Sequence, residues 1–383
     1  MVAAGAVSNR QVCIRIFSLS IAATVWIWRM RKLSKPASTR KPIAVDLFAG
    51  CGGLTLGLQK AGFEVVGAIE IDELAVRTYK ANHPNVAVEK IDIQRLSAIG
   101  LMRKLKLRPG ELDLLAGCPP CQGFSTLRTC NGARRNRDQR NGLLWEMLRF
   151  TKAFRPKAIM MENVPKLAGH RSFKDFCDGL QKLGYKFTFA VKDASRYGVP
   201  QRRRRLVLLA GLGFELEFAP ESRSKRTVRT AIGNLPRPGK SRDPLQNLPE
   251  NRTSKVKKLI RDIPTNGGSR RDLPKSRQLN CHTKTDGFSD VYGRMAWDDV
   301  SPTITSGCFN PSKGRFLHPR QNRAITMREA ALLQTFPRSY VFDVSAGKEA
   351  IALLVGNALP PEFVRRHASS IFTVLSSRSK VNG

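Results

Sequence analysis

The chain of 383 residues carries 66 Lys and Arg against 30 Asp and Glu, a formal net charge of +36. Hydrophobic residues make up 41% of the chain and charged residues 25%, close to globular averages, which excludes wholesale disorder and collagen-like architectures. The length suits one large domain or two ordinary ones. The cationic surplus predicts a polyanionic partner, most simply nucleic acid, and leaves a non-catalytic assembly protein as the alternative.

The cysteines are too few for a disulfide scaffold, since there are 8 in the whole chain. This usage favours a reducing compartment, hence the cytoplasm. Cys118 and Cys121 have a spacing found in zinc sites, but no second such pair exists to complete a tetrahedral site. We therefore expect no metal.

Residues 1–40 differ in composition from the rest, because they contain Lys and Arg but no Asp or Glu. An apolar stretch near residues 12–28 is interrupted by Arg15 and is followed by a basic cluster, which argues against a membrane span and a signal peptide. We interpret the segment as an N-terminal extension, disordered or arising from a misassigned start codon, with a membrane anchor as the alternative.

From Ile43 onward, short apolar runs alternate with amphipathic stretches. The pattern predicts strands at 43–48, 65–69, 112–116 and 158–161, and helices at 54–61 and 73–82. Alternation of this kind indicates a parallel α/β sheet.

The pattern changes near Pro220. Residues 221–280 hold 16 Lys and Arg against 5 Asp and Glu, with frequent Pro, Gly and Asn. This composition predicts a loop-rich, basic second domain. Helical periodicity returns at 327–336, 349–354 and 361–375.

The stretch DLFAGCGG at residues 46–53 is a glycine turn between a predicted strand and a predicted helix. Such a turn lets the backbone approach a ligand, and Glu70, at the end of the next strand, could accept hydrogen bonds from ribose hydroxyls. The dinucleotide fingerprint fails at Thr55, and the P-loop Gly-Lys-Ser/Thr is absent. With Asp92-Ile93 further on, the pattern favours S-adenosylmethionine, while a purely structural turn stays open.

The sequence GCPPCQGFS at residues 117–125 follows a predicted strand. Two prolines fix the backbone before Cys121 at a strand's carboxyl end, where α/β sheets place ligands. Cys121 is therefore a candidate nucleophile, and a buried, inert cysteine is the alternative.

These motifs resemble those of one family, the bacterial DNA cytosine-5 methyltransferases. Pro120-Cys121-Gln122 resembles its nucleophile motif, and stretch 46–53 resembles its cofactor turn. Further matches follow in the family's order: Glu70, Asp92, Glu162-Asn163-Val164, the Gln-x-Arg-x-Arg from Gln201 to Arg205, Arg328-Glu329 with Phe336-Pro337, and Gly356-Asn357-Ala358. The resemblance covers residues 43–365.

The resemblance implies roles for individual residues. Cys121 would add to C6 of cytosine, and Glu162 would meet the charge that develops at N3. Arg203 and Arg205 would lie near the base and hold O2 and the loop. Alternation along an extended segment, independently of the resemblance, predicts a solvated face for Arg202 and Arg204. For the cofactor it implies contacts from Phe48, Gly50, Cys51, Gly52, Gly53, Glu70, Asp92, Ile93 and Asn357.

The fold implied is a Rossmann-like S-adenosylmethionine-dependent methyltransferase fold with a smaller, loop-rich, basic target-recognition domain. We expect the extension at 1–40, the catalytic and cofactor-binding domain at 41–220, the target-recognition domain and hinge at 221–345, and a return to the catalytic domain at 346–375. The basic segment 126–141 resembles the family's loop that closes over DNA.

The activity implied is methyl transfer from S-adenosylmethionine to C5 of a flipped-out cytosine within a short sequence of double-stranded DNA. We expect a monomeric, cytoplasmic, nucleoid-associated bacterial enzyme, solitary or accompanied by a separate restriction endonuclease. Two alternatives stay open. One is the family's tRNA-directed branch, which carries a Cys-Phe-Thr element; the nearest match in this sequence is Cys281-His282-Thr283. The other is a non-catalytic DNA-binding relative.

Overall fold

One mixed β-sheet forms the centre of the described part of the chain. The computed structural model describes residues 40–120, 142–278 and 290–381, with side chains up to residue 378. The strands in these ranges are β1 (Ile43–Leu47), β2 (Glu64–Glu70), β3 (Ala87–Lys90), β4 (Leu114–Gly117), β5 (Ala158–Asn163), β6 (Tyr185–Asp193) and β7 (Arg204–Leu212).

Helices connect the strands and continue beyond them. Within the described ranges they are α1 (Gly53–Lys60), α2 (Glu73–Asn82), α3 (Ala98–Lys104), α4 (Leu143–Phe154), α5 (Arg171–Lys182), α6 (Val228–Ile232), α7 (Pro244–Asn247), α8 (Ser254–Asp262), α9 (Met327–Leu333), α10 (Gly347–Asn357) and α11 (Pro361–Val381). Short 3-10 helices lie at Ile93–Arg95, Pro165–Gly169, Ala194–Tyr197, Arg270–Asp272, Lys275–Arg277, Pro311–Lys313 and Val344–Ala346.

The strand order is β3-β2-β1-β4-β5-β7-β6. It confirms the Rossmann-like α/β fold, and the four predicted strands β1, β2, β4 and β5 run parallel, whereas the antiparallel strand β7 was not predicted. β7 runs antiparallel to both β5 and β6. The physical reason is the short link at residues 194–203, which cannot hold the crossover helix that a parallel β6–β7 pair would require.

The carboxyl ends of the parallel strands meet at one edge of the sheet. Leu47, the last residue of β1, pairs with Ile69 of β2 and with Gly117 of β4. Gly117 in turn pairs with Met161 of β5. The strand order reverses between β1 and β4, so this edge is the position at which open α/β sheets bind ligands.

Both faces of the sheet are covered by helices. Leu58 of α1 and Phe363 of α11 pack on one face. Leu101 of α3, Phe150 of α4 and Phe176 of α5 pack on the other. Full burial of an apolar side chain contributes about 1.5–3 kcal/mol, so these two layers fix the sheet and the edge that carries the site.

The region after β7 is loop-rich, as its composition predicted. Its helices α6, α7 and α8 are short, and its β-structure consists of isolated bridges in the described ranges. Val228 and Leu245 share an apolar cluster with Met327 of α9, Ile351 of α10 and Cys51 of the glycine turn. The expected boundaries at 220 and 345 stay a prediction, because residues Pro42–Arg378 form one compact unit.

A buried arginine organises part of this region. The Arg294 side chain is fully buried. Its guanidinium donates to the carbonyls of Ile260 (2.7 Å), Ile263 (3.1 Å) and His318 (3.0 Å). It also donates to the Gln321 carbonyl and to Asn322 Oδ1. Five N–H groups are thus satisfied without a carboxylate, and two chain segments, residues 260–263 and 318–322, are held by one side chain.

No helix in the described ranges is long and apolar enough to span a membrane.

Candidate active site

The turn after β1 is closed by backbone hydrogen bonds and by Glu70. The Gly52 N–H donates to the Ala49 carbonyl at 3.0 Å, and the Ala49 N–H donates to the Ile69 carbonyl at 3.0 Å. Glu70 Oε2 accepts from the Gly50 N–H at 2.7 Å. The carboxylate at the end of β2 therefore shapes the turn directly, a role that the sequence did not predict.

Position 52 requires glycine for two reasons. Its φ of +93° lies in the left-handed region. A Cβ there would also lie 2.6 Å from both His83 Nε2 and the Tyr340 hydroxyl. His83 and Tyr340 are two neighbours of the turn that the sequence analysis missed, because they are distant from it along the chain.

Asp46 lies at the base of the turn and is fully buried. Its Oδ2 accepts from the Thr55 hydroxyl at 2.6 Å, and Thr55 also contacts the Tyr79 hydroxyl at 2.7 Å. Its Oδ1 has no hydrogen-bond partner among the described residues. Burial raises the pKa of Asp46 to about 7, despite the Thr55 bond, which opposes the shift.

Acidic and apolar groups line the ends of β2 and β3. Glu70 Oε1 accepts from the Ile71 and Asp72 N–H groups, each at 2.8 Å. The Ile91 N–H donates to the Glu70 carbonyl at 3.1 Å, which brings Asp92 next to the end of β2. Ile71 is 64% exposed although it is a large apolar residue.

The other residues that we expect to contact the cofactor lie in the turn after β1 and near the ends of helices. Phe48 is partly buried with a φ of +61°, and Ile93 is buried beside α3 and α4. Asn357 is exposed at the end of α10. A Cβ at Gly53 would lie 2.7 Å from the Leu359 carbonyl, so the segment just after Asn357 packs on the start of α1. The structure thus brings the turn and the closing Gly-Asn motif together.

The residues fit an adenosine-containing cofactor. A carboxylate has about four lone-pair sites, and the Gly50, Ile71 and Asp72 N–H groups use three of them on Glu70. The remaining site on Oε2 can accept from a ribose hydroxyl. Ile71, which is exposed after β2, and Phe48, which is partly buried after β1, offer apolar surface for a base. The unpaired Asp46 oxygen leaves an acceptor at the foot of the turn.

Glu162 and Arg205 form the centre of the candidate catalytic group. Glu162 is 8% exposed and is the penultimate residue of β5. The Arg205 Nε atom lies 2.7 Å from its Oε1 atom. Burial, followed by the nearby Glu162 charge, raises the pKa of the Cys118 thiol well above its usual range. Cys118 is therefore held as a thiol.

Asn163 connects β5 with the segment that precedes the candidate nucleophile. Its side-chain amide donates to the Pro119 carbonyl at 3.1 Å. Cys121 itself lies outside the described residues, as do segment 126–141 and Cys281-His282-Thr283. Pro119 is two positions before Cys121, so the bond brings the described end of that segment to Glu162 and its neighbours.

The arginine run alternates as predicted, but its two inward arginines have different partners. Arg202 and Arg204 are exposed, which confirms the expected solvated face. Buried Arg203 donates through Nη1 to the Ile304 carbonyl and through Nη2 to the Gly356 carbonyl, each at 3.0 Å. Its burial lowers the pKa of the guanidinium. Arg203 thus connects the sheet with the region after β7, whereas Arg205 pairs with Glu162.

Two buried glutamines make a second connection across the same boundary. Gln201 Oε1 accepts from the Ile304 N–H at 2.8 Å, and its amide nitrogen donates to Gln334 Oε1 at 2.9 Å. Gln334 donates in turn to the Val355 carbonyl at 2.6 Å. The Gln-x-Arg-x-Arg segment is therefore fixed by α9 and α10.

Gly356 allows the closest backbone approach in this group. A Cβ at that position would lie 2.3 Å from the Ser306 nitrogen and 2.4 Å from the Thr305 carbonyl carbon. Real Cβ atoms do not come this close to backbone, so the closing motif needs glycine for packing.

Comparisons with known proteins point to one family. Residues 43–373 match the family model for C-5 cytosine-specific DNA methylase. The chain is 35% identical over 352 residues to the type II methylase M.HgiDII of Herpetosiphon aurantiacus, covering 85% of this chain and 94% of that relative. It is 34% identical to the type II methyltransferase M1.HphI of Haemophilus parahaemolyticus, covering 85% and 86% of the two chains.

Among solved structures, the fold is similar to that of a provisionally assigned DNA modification methyltransferase from an E. coli prophage. The TM-score is 0.64 at 24% identity, and the match covers 87% of this chain and 99% of that one.

Proposed function

Since the chain belongs to the C-5 cytosine-specific DNA methylase family, it transfers a methyl group to C5 of cytosine in DNA, and we propose that S-adenosylmethionine, bound at the turn after β1, is the donor. The cofactor supplies an electrophilic methyl group on a sulfonium centre. In this proposal Glu70 accepts from a ribose hydroxyl through its remaining Oε2 site, and Asp92 accepts from the adenine amine. Phe48 and the exposed Ile71 contact the faces of the adenine.

The N-terminal end of α1 completes the proposed cofactor site. Gly50, Cys51, Gly52 and Gly53 form the turn that leads into α1. The Gly50 and Gly52 N–H groups are bound to Glu70 and to the Ala49 carbonyl, so the first N–H groups of α1 provide the position where negative charge is favoured. The carboxylate of the methionine part suits this position. Ile93 closes the adenine side, and Asn357 lies at the opposite wall, next to the segment that packs on Gly53.

We propose that Cys121 acts as the nucleophile toward the target cytosine. The Cys121 thiolate would add to C6, which makes C5 nucleophilic. C5 would then form a bond to the methyl carbon as the S–CH3 bond breaks, and S-adenosylhomocysteine would leave as a neutral thioether. Loss of the C5 proton to water or hydroxide returns the electron pair to the ring and expels the thiolate. The observation that carries this proposal is the Asn163–Pro119 bond, which brings the segment before Cys121 to β5.

Glu162 and Arg205 are proposed to stabilise the charge that develops on the ring. Arg205 contacts Oε1 of Glu162, and we propose that Oε2 shares a proton with N3 of the cytosine. Arg205 is proposed to donate to O2 of the cytosine. Arg203 is proposed to hold the surrounding backbone, because its two Nη atoms already donate to carbonyls.

Double-stranded DNA is the proposed substrate, with the target base flipped out of the stack. Helix α8 exposes Lys255, Lys257, Lys258 and Arg261 while it buries Leu259 and Ile260. Such a basic face suits contact with phosphates, which position the protein without reading sequence. By analogy with the type II relatives, we propose a monomeric enzyme of a restriction–modification system, with any endonuclease acting separately.

The proposal is tested with the full chain, duplex DNA and S-adenosylmethionine labelled in the methyl group. We expect label in DNA, and bisulfite sequencing should locate it at cytosines within one short sequence. Cys121→Ser should abolish transfer but retain cofactor binding. Cys177→Ser, which changes a buried cysteine of α5, should retain activity. Equal activity in the Cys121→Ser variant would refute the nucleophile assignment, and transfer to tRNA alone would favour the RNA-directed branch.

A further inference from the structure

A tyrosine from the segment after α9 holds the glycine turn. The Tyr340 hydroxyl lies 2.5 Å from the Cys51 carbonyl oxygen, to which it donates. Tyr340 is itself fixed by neighbours, since its ring lies 4.7 Å from Phe336 and 5.4 Å from Phe342 between centroids. The Arg328 guanidinium also donates to the Tyr340 carbonyl at 3.0 Å. The hydroxyl is therefore presented from a rigid support.

His83 supports the hydroxyl from its other side. Its Nε2 lies 3.1 Å from the Tyr340 oxygen, and its Nδ1 lies 3.0 Å from the terminal amide of the Gln59 side chain. A phenol has one proton, which here goes to Cys51, so His83 Nε2 must carry the proton that it shares with Tyr340. Nδ1 then accepts, which requires the Gln59 amide nitrogen to face it. Burial lowers the pKa of His83 to about 4, so the ring is neutral at pH 7.

The bond fixes one peptide unit at both ends. The carbonyl of the Cys51–Gly52 peptide is held by Tyr340, and its N–H is held by the Ala49 carbonyl at 3.0 Å. The space that a Cβ of residue 52 would take is filled by His83 and Tyr340. This peptide has a single orientation, and it leads directly into the first N–H groups of α1.

The Tyr340 segment is also anchored on α2. The Asn82 side chain donates to the Val341 carbonyl at 2.8 Å and accepts from the Val341 N–H at 2.9 Å. An Arg77–Asp343 ion pair of 3.5 Å lies next to this contact. Helix α2 follows β2 and Glu70, so the segment connects both sides of the cofactor turn.

We infer that Tyr340 and His83 are positioning residues that set the Cys51–Gly52 peptide for the cofactor. The inference rests on the proposed function, in which the turn after β1 binds S-adenosylmethionine. Neither side chain needs to touch the cofactor. They act through the backbone, so their loss should weaken cofactor binding more than it slows methyl transfer at saturation.

The test measures binding of S-adenosylmethionine to the full chain by calorimetry, without DNA. Tyr340→Phe should raise the Kd about five- to tenfold, the effect of losing one hydrogen bond to a group that must be aligned. At saturating cofactor and DNA, kcat should stay within about twofold of wild type. Tyr185→Phe is the matched control, because the buried Tyr185 hydroxyl also donates to a carbonyl, that of Pro156, at 2.7 Å. Its Kd should not change.

A pair of His83 variants provides an independent readout. His83→Gln keeps an N–H donor for the Tyr340 oxygen and should bind the cofactor with near wild-type affinity, while His83→Leu should raise the Kd about threefold or more. An unchanged Kd in Tyr340→Phe, or an equal rise in Tyr185→Phe, would overturn the inference while the proposed cofactor stands. Failure of the wild-type chain to bind S-adenosylmethionine would instead overturn the proposed function.

Discussion

Glu162 and Arg205 are joined across the antiparallel β5–β7 pair, with the Arg205 Nε atom 2.7 Å from Glu162 Oε1. The two side chains are 10% and 17% exposed, so the pair is largely shielded from solvent. Shielding strengthens the attraction and fixes the direction of the carboxylate. The antiparallel strand returns Arg205 to the edge where the parallel strands end, which is the edge of the proposed active site.

Removal of Arg205 should reduce catalysis without unfolding the chain. Arg205→Ala leaves Glu162 without its cation and removes the proposed donor to O2, so we expect kcat for DNA methylation to fall about a hundredfold or more. Steady-state transfer of labelled methyl groups at saturating DNA and cofactor measures kcat, and single-turnover transfer measures the rate constant of the chemical step. The adjacent, exposed Arg204 is the control, and Arg204→Ala should stay within about threefold of wild type. Equal losses in both variants would contradict the assignment.

Arg203 should behave as a structural residue. Arg203→Ala leaves the Ile304 and Gly356 carbonyls buried without their donor, so we expect the free energy of unfolding to fall by about 2–4 kcal/mol. Urea denaturation followed by circular dichroism measures the loss. Arg202→Ala, on the solvated face, should change stability by less than about 0.5 kcal/mol. A fully stable Arg203→Ala variant with reduced kcat would assign Arg203 to the substrate instead.

Gly356→Ala should destabilise the contact between α10 and residues 305–306. The added methyl would lie 2.3 Å from the Ser306 nitrogen, and backbone cannot yield as a side-chain tip can. We expect a loss of about 1–3 kcal/mol in the free energy of unfolding. Gly169→Ala is a suitable control, because nothing lies within 4 Å of its Cβ position. Similar stability in the two variants would show that this backbone contact can open at no cost.

Buried His367 should make the fold sensitive to acid. Its pKa is lowered from 6.5 to about 3, first by burial and second by the positive charge of Lys192. As pH falls from about 6.5 toward 3, the unfolded chain binds a proton that the folded chain does not, so stability is lost by up to about 1.4 kcal/mol per pH unit.

The comparison for this acid effect is His367→Asn. Asparagine keeps an acceptor for the Ala219 N–H but does not titrate, so its stability should fall less steeply with acid. Urea denaturation at several pH values between 7 and 4 gives both slopes. Parallel slopes for wild type and variant would show that His367 does not cause the acid sensitivity.

The sequence allowed the β1–β5 half of the sheet to be predicted more fully than the rest. Buried parallel strands such as Ile43–Leu47 appear in the sequence as continuous apolar runs. The glycines of the turn after β1 also indicate where helix α1 begins. Strand β6 carries alternating and partly exposed side chains, and β7 begins inside the arginine run. Composition there suggested a basic face, so the antiparallel partner of β5 was not predicted.

The candidate site was predictable where its residues belong to motifs, and not where they act across the chain. Glu70 was named from its position at the end of a predicted strand, and Glu162 and Arg205 were named from resemblance to the family's motifs. Tyr340 and His83 were missed because a single tyrosine or histidine carries no local signal, and they meet the turn only after folding. The different partners of Arg203 and Arg205 also depend on which carbonyls tertiary packing brings near, which alternation along a strand cannot specify.

The Gln201–Gln334 amide pair has a consequence for exchanging recognition regions between relatives. Each amide has one donor end and one acceptor end in use, so a chimera that replaces only one glutamine leaves a buried polar group without a partner. Junctions placed between residues 221 and 300 would leave this pair and the Ile304 contact intact. The proposed recognition region could then be exchanged while the parental sheet keeps its buried hydrogen bonds to Gln334 and Ile304.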